Sequence, residues 1–227
     1  AWSVSEFASA SRVPVLNGGD GANEHPSQAL LDLYTIRKEL LGKNKGVDGM
    51  RLAMIGDLKF GRTVHSICKL LSVFKNLSIT LISPSELAMP EDIVEQLREC
   101  GHEVIESDNM EQNISDVDIA YSTRIQEERF ANKEEANVYR GRFRLNQAIY
   151  TKFCDPNTVI MHPLPRDSRE GAKELDDDLN NNPNLAIFRQ TDNGILVRMA
   201  LFALVLDVVD QIDTHSRAVN WYTGSRF

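Results

Sequence analysis

Predicted strands and helices alternate through most of this chain, and that alternation constrains its fold more than any other feature. From residue 51 onward, short apolar runs typical of buried strands are separated by amphipathic segments typical of helices. Strands joined by crossover helices form a doubly wound parallel sheet. We therefore predict an α/β fold with five parallel strands in the order 3-2-1-4-5. The predicted strands are 52–55, 77–82, 103–106, 118–122 and 158–161, and the predicted helices are 63–74, 91–100, 111–115 and 145–153.

A second strand-loop-helix unit precedes this sheet. Residues 13–17 are predicted as a short strand, and Pro26 opens a helical pattern that ends near Gly42. Proline is favoured at the first position of a helix because the N–H that it lacks would have no partner there. We expect these residues to form a separate strand-loop-helix unit that ends near Gly42.

Glycine and polar residues fill segment 42–49, which we interpret as a domain boundary. Residues 50–192 are then the main sheet domain. Residues 195–209 are too uniformly apolar for a surface helix, so we expect 193–213 to pack between domains. Residues 214–227 show no periodicity and are assigned to a tail.

The charge and cysteine content exclude several classes of protein. A formal net charge of −8 disfavours a surface for nucleic acid or anionic membrane, since both require a basic face. Part of that charge lies in an acidic, asparagine-rich loop at 174–184, which we expect to be solvated. Cys68, Cys100 and Cys154 lack metal-ligand spacing and even pairing, which favours a reducing compartment without disulfides or structural zinc. No apolar run approaches the ~20 residues of a membrane span, so a cytoplasmic location is expected.

Three loops that follow predicted strands carry polar motifs. Gly61-Arg62-Thr63 follows the first strand, residues 122–126 follow the fourth, and residues 162–166 follow the fifth. Because these strands are neighbours around the reversal of winding, their loops should converge on one crevice. A fourth motif, His25-Pro-Ser-Gln28, opens the long helix of the preceding unit, where free amides and the helix dipole favour an anion.

Each motif also has a purely structural interpretation. Arg62 or Arg124 alone could be a surface arginine, His25 could simply cap a helix, and two prolines could make 162–165 a rigid turn. Their joint placement favours a site. Residues 56–63 also approach the phosphate-binding pattern G-x-x-x-x-G-K-[ST], with arginine in place of lysine, so nucleotide binding is a rival hypothesis. That rival lacks a strand ending in an aspartate that could hold magnesium.

Four motifs occur together in the order and spacing of one enzyme family. They are His25-Pro-Ser-Gln28, Gly56-Asp-Leu-Lys-Phe-Gly-Arg-Thr-Val-His65, Thr123-Arg-Ile-Gln126 with Glu128-Arg-Phe130, and His162-Pro-Leu-Pro-Arg166. Together they resemble the catalytic chain of aspartate carbamoyltransferase, from about residue 1 to about residue 206. Ornithine carbamoyltransferases typically have His-Cys-Leu-Pro in the last motif, so the aspartate enzyme is the better match.

The resemblance implies transfer of the carbamoyl group of carbamoyl phosphate to the amine of L-aspartate. The product would be N-carbamoyl-L-aspartate, used in de novo pyrimidine biosynthesis. His25 would stabilise the oxyanion that develops on the carbamoyl carbonyl, and Gln28 would hold the carbamoyl amide. The backbone at Leu164 and Pro165 would orient the reacting groups and contribute to carbamoyl-phosphate binding.

For aspartate, the resemblance implies that Arg62 and Arg124 bind the two carboxylates, with Gln126 assisting Arg124. A planar guanidinium binds a carboxylate through two hydrogen bonds, and a dianionic substrate requires two such groups. No metal or organic cofactor is expected. Residues 1–42 would be the end of the carbamoyl-phosphate domain, and thus the edge of a second α/β domain, with the bridging helix. Residues 50–192 would be the aspartate-binding domain.

The family resemblance also implies partners and an incomplete site. Family members form homotrimers, whereas a regulatory subunit cannot be predicted from this sequence. The family's Ser-Thr-Arg-Thr phosphate loop, and the loop whose lysine reaches a neighbouring subunit, have no counterpart here. Phe60 also stands where tyrosine is common. Since Ala1 is not a Met and lies in a helical pattern, we expect a fragment that is inactive alone. The alternative is a non-catalytic paralogue that binds an amino acid or a partner protein.

Overall fold

A five-stranded parallel sheet forms the centre of the molecule. The computed structural model describes residues 3–21, 23–130, 132 and 136–215. The strands are β1 (Arg51–Ile55), β2 (Ser78–Ile82), β3 (Glu103–Ser107), β4 (Ile119–Ser122) and β5 (Val159–Met161). Their order is β3-β2-β1-β4-β5 and every neighbouring pair is parallel, which confirms the predicted fold class and order. In the central strand, Met54 is in register with Leu81 of β2 and Tyr121 of β4.

Helices connect the strands and cover the sheet. Those predicted between the strands begin and end within a few residues of the expected bounds. In the described part of the chain, no helix is long and apolar enough to cross a membrane. The helices are α1 (Ser3–Ala10), α2 (Pro26–Leu41), α3 (Arg62–Leu71), α4 (Glu91–Glu99), α5 (Met110–Asn113), α6 (Gln147–Phe153), α7 (Ile187–Val205) and α8 (Ile212–His215).

The core has two layers, one on each face of the sheet. Successive side chains of a strand point to opposite faces. In β1, Leu52 and Met54 accordingly belong to one buried cluster, together with residues of α2, α3 and α4. Ala53 and Ile55 belong to the other cluster, which includes residues near α6 and the start of α7. Burial on both faces explains why this strand is apolar throughout rather than alternating.

The prediction of a strand at residues 13–17 is wrong. These residues belong to no strand and join no ladder of the described sheet. Val13 is 70% exposed and Leu16 40% exposed. A run of residues with high β propensity does not form a strand when its backbone groups have no neighbouring strand to pair with.

The helix predicted from residue 195 to 209 begins and ends earlier than expected. Helix α7 runs from Ile187 to Val205 and packs along α2. Apolar side chains such as Met199 and Phe202 are more than half exposed, whereas the polar Gln190 and Asn193 are buried. In the described part of the chain these apolar side chains of the helix are left uncovered, and its expected packing between domains stays a prediction. Its contact with α2 is made in part by hydrogen bonds.

The acidic loop is less solvated than predicted. Glu174, Asp176 and Asn182 are buried polar residues, and Leu179 is a fully buried core residue. Asp176 is buried as an ion pair, with Arg144 Nε donating to it at 2.7 Å. Pairing of this kind allows a carboxylate to leave solvent. Of the predicted tail, everything after residue 215 lies outside the described residues.

Candidate active site

The loops after β1, β4 and β5 meet the start of α2 around a cavity of about 210 Å³. The carboxyl ends of neighbouring parallel strands share one edge of a sheet, so their loops converge at the reversal of winding. The structure brings all seven residues singled out from the sequence to this one cavity. They are His25, Gln28, Arg62, Arg124, Gln126, Leu164 and Pro165.

His25 lies at the amino-terminal end of α2 and presents a neutral imidazole. Its Nδ1 accepts a hydrogen bond from the backbone N–H of Gln28 at 3.3 Å. Burial lowers the pKa of His25, and the positive charges of Arg62 and Arg198 lower it further. A neutral ring that accepts at Nδ1 carries its proton on Nε2. The site therefore contains a fixed N–H donor at the start of α2.

Arg62 is the first residue of α3 and is held by the glycine-rich turn that precedes α2. Its guanidinium donates to the carbonyl oxygen of Gly21 at 3.0 Å. Gly19, at φ +123°, lies against the same group, and a Cβ there would fall 3.0 Å from Arg62 Cζ. Glycine therefore permits this close approach between turn and guanidinium.

Arg124 follows β4 and is paired with Glu128. NH2 donates to one carboxylate oxygen at 2.5 Å and NH1 to the other at 3.1 Å. This hydrogen-bonded pairing lowers the pKa of Glu128. The family resemblance assigns the Arg124 guanidinium to a substrate carboxylate, but in this structure it already binds a carboxylate of the protein.

Arg129 also lines the cavity, and its role was not deduced from the sequence. Its guanidinium donates to the carbonyl oxygen of Gly21 at 2.8 Å, the same acceptor that Arg62 uses. The described residues that line the cavity include three arginines and one acidic side chain, Glu128. Within a chain of net charge −8, the cavity is locally positive and suits an anionic ligand.

A buried carboxylate joins the loop after β1 to the loop after β4. Asp57 accepts from the backbone N–H of Phe60 at 3.0 Å and of Gln126 at 3.1 Å. Gln126 Nε2 in turn donates to the carbonyl of Phe60 at 2.7 Å. Desolvation raises the pKa of Asp57, while these N–H groups oppose that effect. A phosphate-binding loop would direct its amides at an external anion, so this arrangement disfavours the nucleotide-binding hypothesis.

The turn after β5 is closed by its own histidine. The backbone N–H of Leu164 donates to His162 Nδ1 at 2.8 Å, and the Leu164–Pro165 peptide is cis. On the opposite side of the ring, Nε2 lies 2.8 Å from an oxygen of the buried Glu174. His162 therefore shapes the turn, and Glu174 from the acidic loop supports the same loop by accepting from the backbone N–H of Asp167 at 3.1 Å. That support was not predicted.

A second buried carboxylate, Asp32, lies beneath the cavity. It accepts from Gln28 Nε2 at 2.9 Å, Tyr121 Oη at 2.7 Å and Gln190 Nε2 at 2.6 Å. Gln190 Oε1 accepts from the backbone N–H of His162 at 3.0 Å. Burial raises the pKa of Asp32 to about 6. Its spacing of four residues from Gln28 on α2 was the only sequence signal for this role.

The described residues include no group of three or more histidine, cysteine, aspartate or glutamate side chains arranged to hold a metal ion. The cavity instead offers guanidinium groups, a neutral imidazole, amides and backbone groups. These groups bind through hydrogen bonds and charge. The arrangement can orient a small anionic ligand and stabilise negative charge that develops on it.

A doubly wound sheet with a basic cavity at its switch point defines an α/β protein that binds a small anionic ligand. Two family models match the sequence. Residues 1–38 match the carbamoyl-P binding domain of aspartate/ornithine carbamoyltransferase, and residues 48–205 match its Asp/Orn binding domain. The chain belongs to the aspartate/ornithine carbamoyltransferase family, which confirms the resemblance predicted from the motifs.

Individual relatives are of the aspartate type. The aspartate carbamoyltransferase catalytic subunit of Cellvibrio japonicus is 72% identical over 226 residues, covering 100% of this chain and 67% of the relative. That of Saccharophagus degradans is 72% identical over 225 residues, covering 99% and 67%. This chain spans about two thirds of the length of these relatives.

Solved structures agree with these relatives. The catalytic subunit of M. jannaschii aspartate transcarbamoylase has a TM-score of 0.79 and 37% identity, covering 92% of this chain and 65% of that one. Aspartate transcarbamoylase from Trypanosoma cruzi, in complex with carbamoyl phosphate and aspartate, has a TM-score of 0.79 and 35% identity. Here the match covers 92% of this chain and 64% of that one.

Proposed function

We propose that this chain is the larger part of an aspartate carbamoyltransferase catalytic chain. The reaction would transfer the carbamoyl group of carbamoyl phosphate to the amine of L-aspartate, releasing phosphate and N-carbamoyl-L-aspartate for pyrimidine biosynthesis. The observation that carries the proposal is one cavity of about 210 Å³ lined by a neutral imidazole donor and by Arg62 and Arg124.

At the carbamoyl end, His25 and Gln28 would bind different atoms of the group. The Nε2–H of His25 can donate to the carbonyl oxygen, and this bond strengthens as the amine attacks and negative charge develops. Gln28 Nε2 is occupied by Asp32, so Gln28 would use Oε1 to accept from the carbamoyl NH₂. The two residues would together orient the carbonyl carbon toward the attacking amine.

The turn after β5 would act through its backbone. The N–H of Leu164 is committed to His162, which leaves the Leu164 carbonyl oxygen as the acceptor available to substrate. Proline at 165 has no N–H to offer. Leu164 and Pro165 would accordingly supply acceptors for the carbamoyl amide and for the incoming amine.

At the aspartate end, Arg62 and Arg124 would each bind one carboxylate. Glu128 now fills the fork of Arg124, so substrate would have to share that fork or displace Glu128. Gln126 would assist by holding the loop after β4 against the loop after β1, through its bonds to Asp57 and Phe60.

The assembly and location follow from the proposed family role. A homotrimer in the cytoplasm is proposed, with residues 50–192 as the aspartate-binding domain. The free thiols of Cys68, Cys100 and Cys154 support a reducing compartment. Groups for the phosphate of carbamoyl phosphate would come largely from the third of the family length that this chain does not span, and from a neighbouring subunit.

The proposal is tested by completing the chain. The part of the C. japonicus subunit that lies outside the matched region is fused to these 227 residues, giving the completed chain. We expect it to form N-carbamoyl-L-aspartate from carbamoyl phosphate and L-aspartate, whereas the 227 residues alone should not. A completed chain that folds, by circular dichroism and sedimentation, yet forms no product would contradict the proposal.

A further inference from the structure

The carboxylate of Asp32 is fully buried and surrounded by neutral donors. Gln28 from α2, Tyr121 from β4 and Gln190 from α7 all donate to it, within 2.9 Å. We call these four side chains the Asp32 network. Among the described residues, no lysine or arginine forms an ion pair with Asp32. A charge buried without a cation is costly and is held here only by hydrogen bonds.

We propose that Asp32 is a positioning residue for the carbamoyl end of the site, acting through Gln28 and through the turn after β5. This inference rests on the proposed function, since the ligand concerned is carbamoyl phosphate. Asp32 itself lies beneath the cavity wall and would not touch the ligand.

The first argument is the orientation of two amides. A side-chain amide can rotate by 180° and exchange its donor for its acceptor. An ionised carboxylate only accepts, so it requires both Gln28 and Gln190 to present Nε2 to it. Oε1 of Gln28 is then the atom left for the carbamoyl NH₂, and Oε1 of Gln190 is the atom that accepts from His162.

The second argument is connectivity. Gln190 joins Asp32 to the backbone of His162, and the ring of His162 accepts from the backbone of Leu164. One carboxylate therefore positions both a side chain and a backbone segment of the carbamoyl end. Neither Arg62 nor Arg124 is hydrogen-bonded to this network. The effect of changing Asp32 should be confined to one substrate.

The test uses Asp32→Asn in the completed chain. Asparagine has nearly the same shape but cannot accept from three donors at once, so one glutamine must turn or lose its bond. We expect KM for carbamoyl phosphate to rise and kcat to fall. Together these changes should lower kcat/KM by on the order of 10²-fold, the effect of misplacing a reacting group by about 1 Å. KM for aspartate, at saturating carbamoyl phosphate, should change less than threefold.

Thr35→Val is the matched control. Thr35 lies one turn further along α2 and accepts from Asn193 of α7 at 3.0 Å, so it belongs to the same buried helix contact. It does not line the cavity. This variant should lower the melting temperature while leaving both KM values unchanged, which separates loss of packing from loss of positioning.

A second variant covers the case in which Asp32→Asn does not fold. Gln190→Met keeps the size of the side chain and the Asp32–Gln28 bond but removes the link to His162. We expect KM for carbamoyl phosphate to rise about tenfold, with aspartate unaffected. If the folded variants raise neither KM value above that of Thr35→Val, the inference is wrong. It is also wrong if they raise KM for carbamoyl phosphate and KM for aspartate equally.

Binding separates this inference from the proposed function. Carbamoyl phosphate binding by the completed chain is measured by calorimetry alongside the assay. If that chain binds carbamoyl phosphate but transfers nothing, the proposed reaction is wrong, and Asp32→Asn is still expected to weaken binding. Alternatively, the completed chain transfers the carbamoyl group, and Asp32→Asn has the same carbamoyl phosphate affinity and kinetic constants. In that case only the role proposed for Asp32 is wrong. If the completed chain does not bind carbamoyl phosphate, both proposals are wrong.

Discussion

Arg124 donates both terminal nitrogens to the carboxylate of Glu128, at 2.5 and 3.1 Å, so its fork is occupied before any substrate arrives. The pair is partly exposed, with 31% of the Arg124 side chain and 51% of the Glu128 side chain accessible. An exposed pair of this kind is weak because water competes with it. We therefore expect that a substrate carboxylate can displace Glu128 from the Arg124 guanidinium.

Arg124→Ala in the completed chain should raise KM for aspartate and leave KM for carbamoyl phosphate nearly unchanged. Loss of a charged partner that leaves the other charge buried costs ~2–5 kcal/mol, so the increase should be at least about 30-fold. Steady-state kinetics with each substrate varied in turn measure it. Arg144→Ala is the matched control, because Arg144 is also paired with a carboxylate, Asp176, and does not line the cavity. An effect on carbamoyl phosphate alone would contradict the assignment.

Arg62→Lys should also raise KM for aspartate, although the charge is kept. The guanidinium donates to Gly21 and has further N–H groups that can reach a carboxylate. Lysine is a point charge and cannot reproduce that fork. Loss of one hydrogen bond to a charged group, worth ~1.5–3 kcal/mol, predicts an increase on the order of 10- to 10²-fold.

Arg98→Lys serves as the control for this substitution. Arg98 forms a surface ion pair with Glu106, and neither residue lines the cavity. Its kinetic constants should equal those of the unmodified completed chain. Equal constants for Arg62→Lys as well would show that Arg62 does not bind substrate through its fork.

Gly56→Ala should destabilise the fold by at least ~3 kcal/mol. Gly56 has φ +118°, and a Cβ there would lie 2.3 Å from the carbonyl oxygen of Thr123. An unfavourable backbone conformation costs ~1–3 kcal/mol, and the clash with backbone adds to it. Urea unfolding followed by circular dichroism measures the change. Gly46→Ala is the control, since its added Cβ would meet nothing within 4 Å; similar losses in both variants would be inconsistent with the described crossing of loops.

Asp32 should make stability depend on pH in an unusual direction. Its pKa is about 6 in the folded protein, against a model-peptide value of 3.8. Between those values the folded chain keeps a proton that the unfolded chain releases, so the free energy of unfolding falls as pH rises. The difference of about two pKa units corresponds to ~3 kcal/mol, lost between about pH 4 and pH 7. Asp32→Asn removes this dependence.

The comparison of Asp32→Asn with the unmodified chain isolates that contribution. Urea unfolding at several pH values should show the stability of the variant increasing relative to the unmodified chain up to about pH 7 and then remaining constant. Tyr121→Phe, which keeps the carboxyl group, should retain the falling trend. If the free energies of unfolding of Asp32→Asn and the unmodified chain differ by the same amount at every pH, Asp32 has an ordinary pKa in the folded protein.

The sequence was sufficient for the sheet and for the place of the cavity. Apolar runs separated by amphipathic segments are local patterns, and the rules for parallel strands then lead to the order β3-β2-β1-β4-β5. Once that order holds, the loops after β1, β4 and β5 must meet at one edge. Arg62, Arg124 and Leu164 reach one cavity for this reason, which needs no knowledge of how distant side chains pack.

Only the tertiary structure decided what supports those residues. Asp32 and Gln190 are 158 residues apart in the sequence. No local pattern indicates that the side-chain amide of Gln190 would donate a hydrogen bond to the carboxylate of Asp32. The same applies to Glu174, whose acidic surroundings predicted solvent but which lies buried beside His162. Periodicity in a sequence reports whether a position faces inward. Which partner satisfies a buried polar group depends on segments that are brought together only when the chain folds.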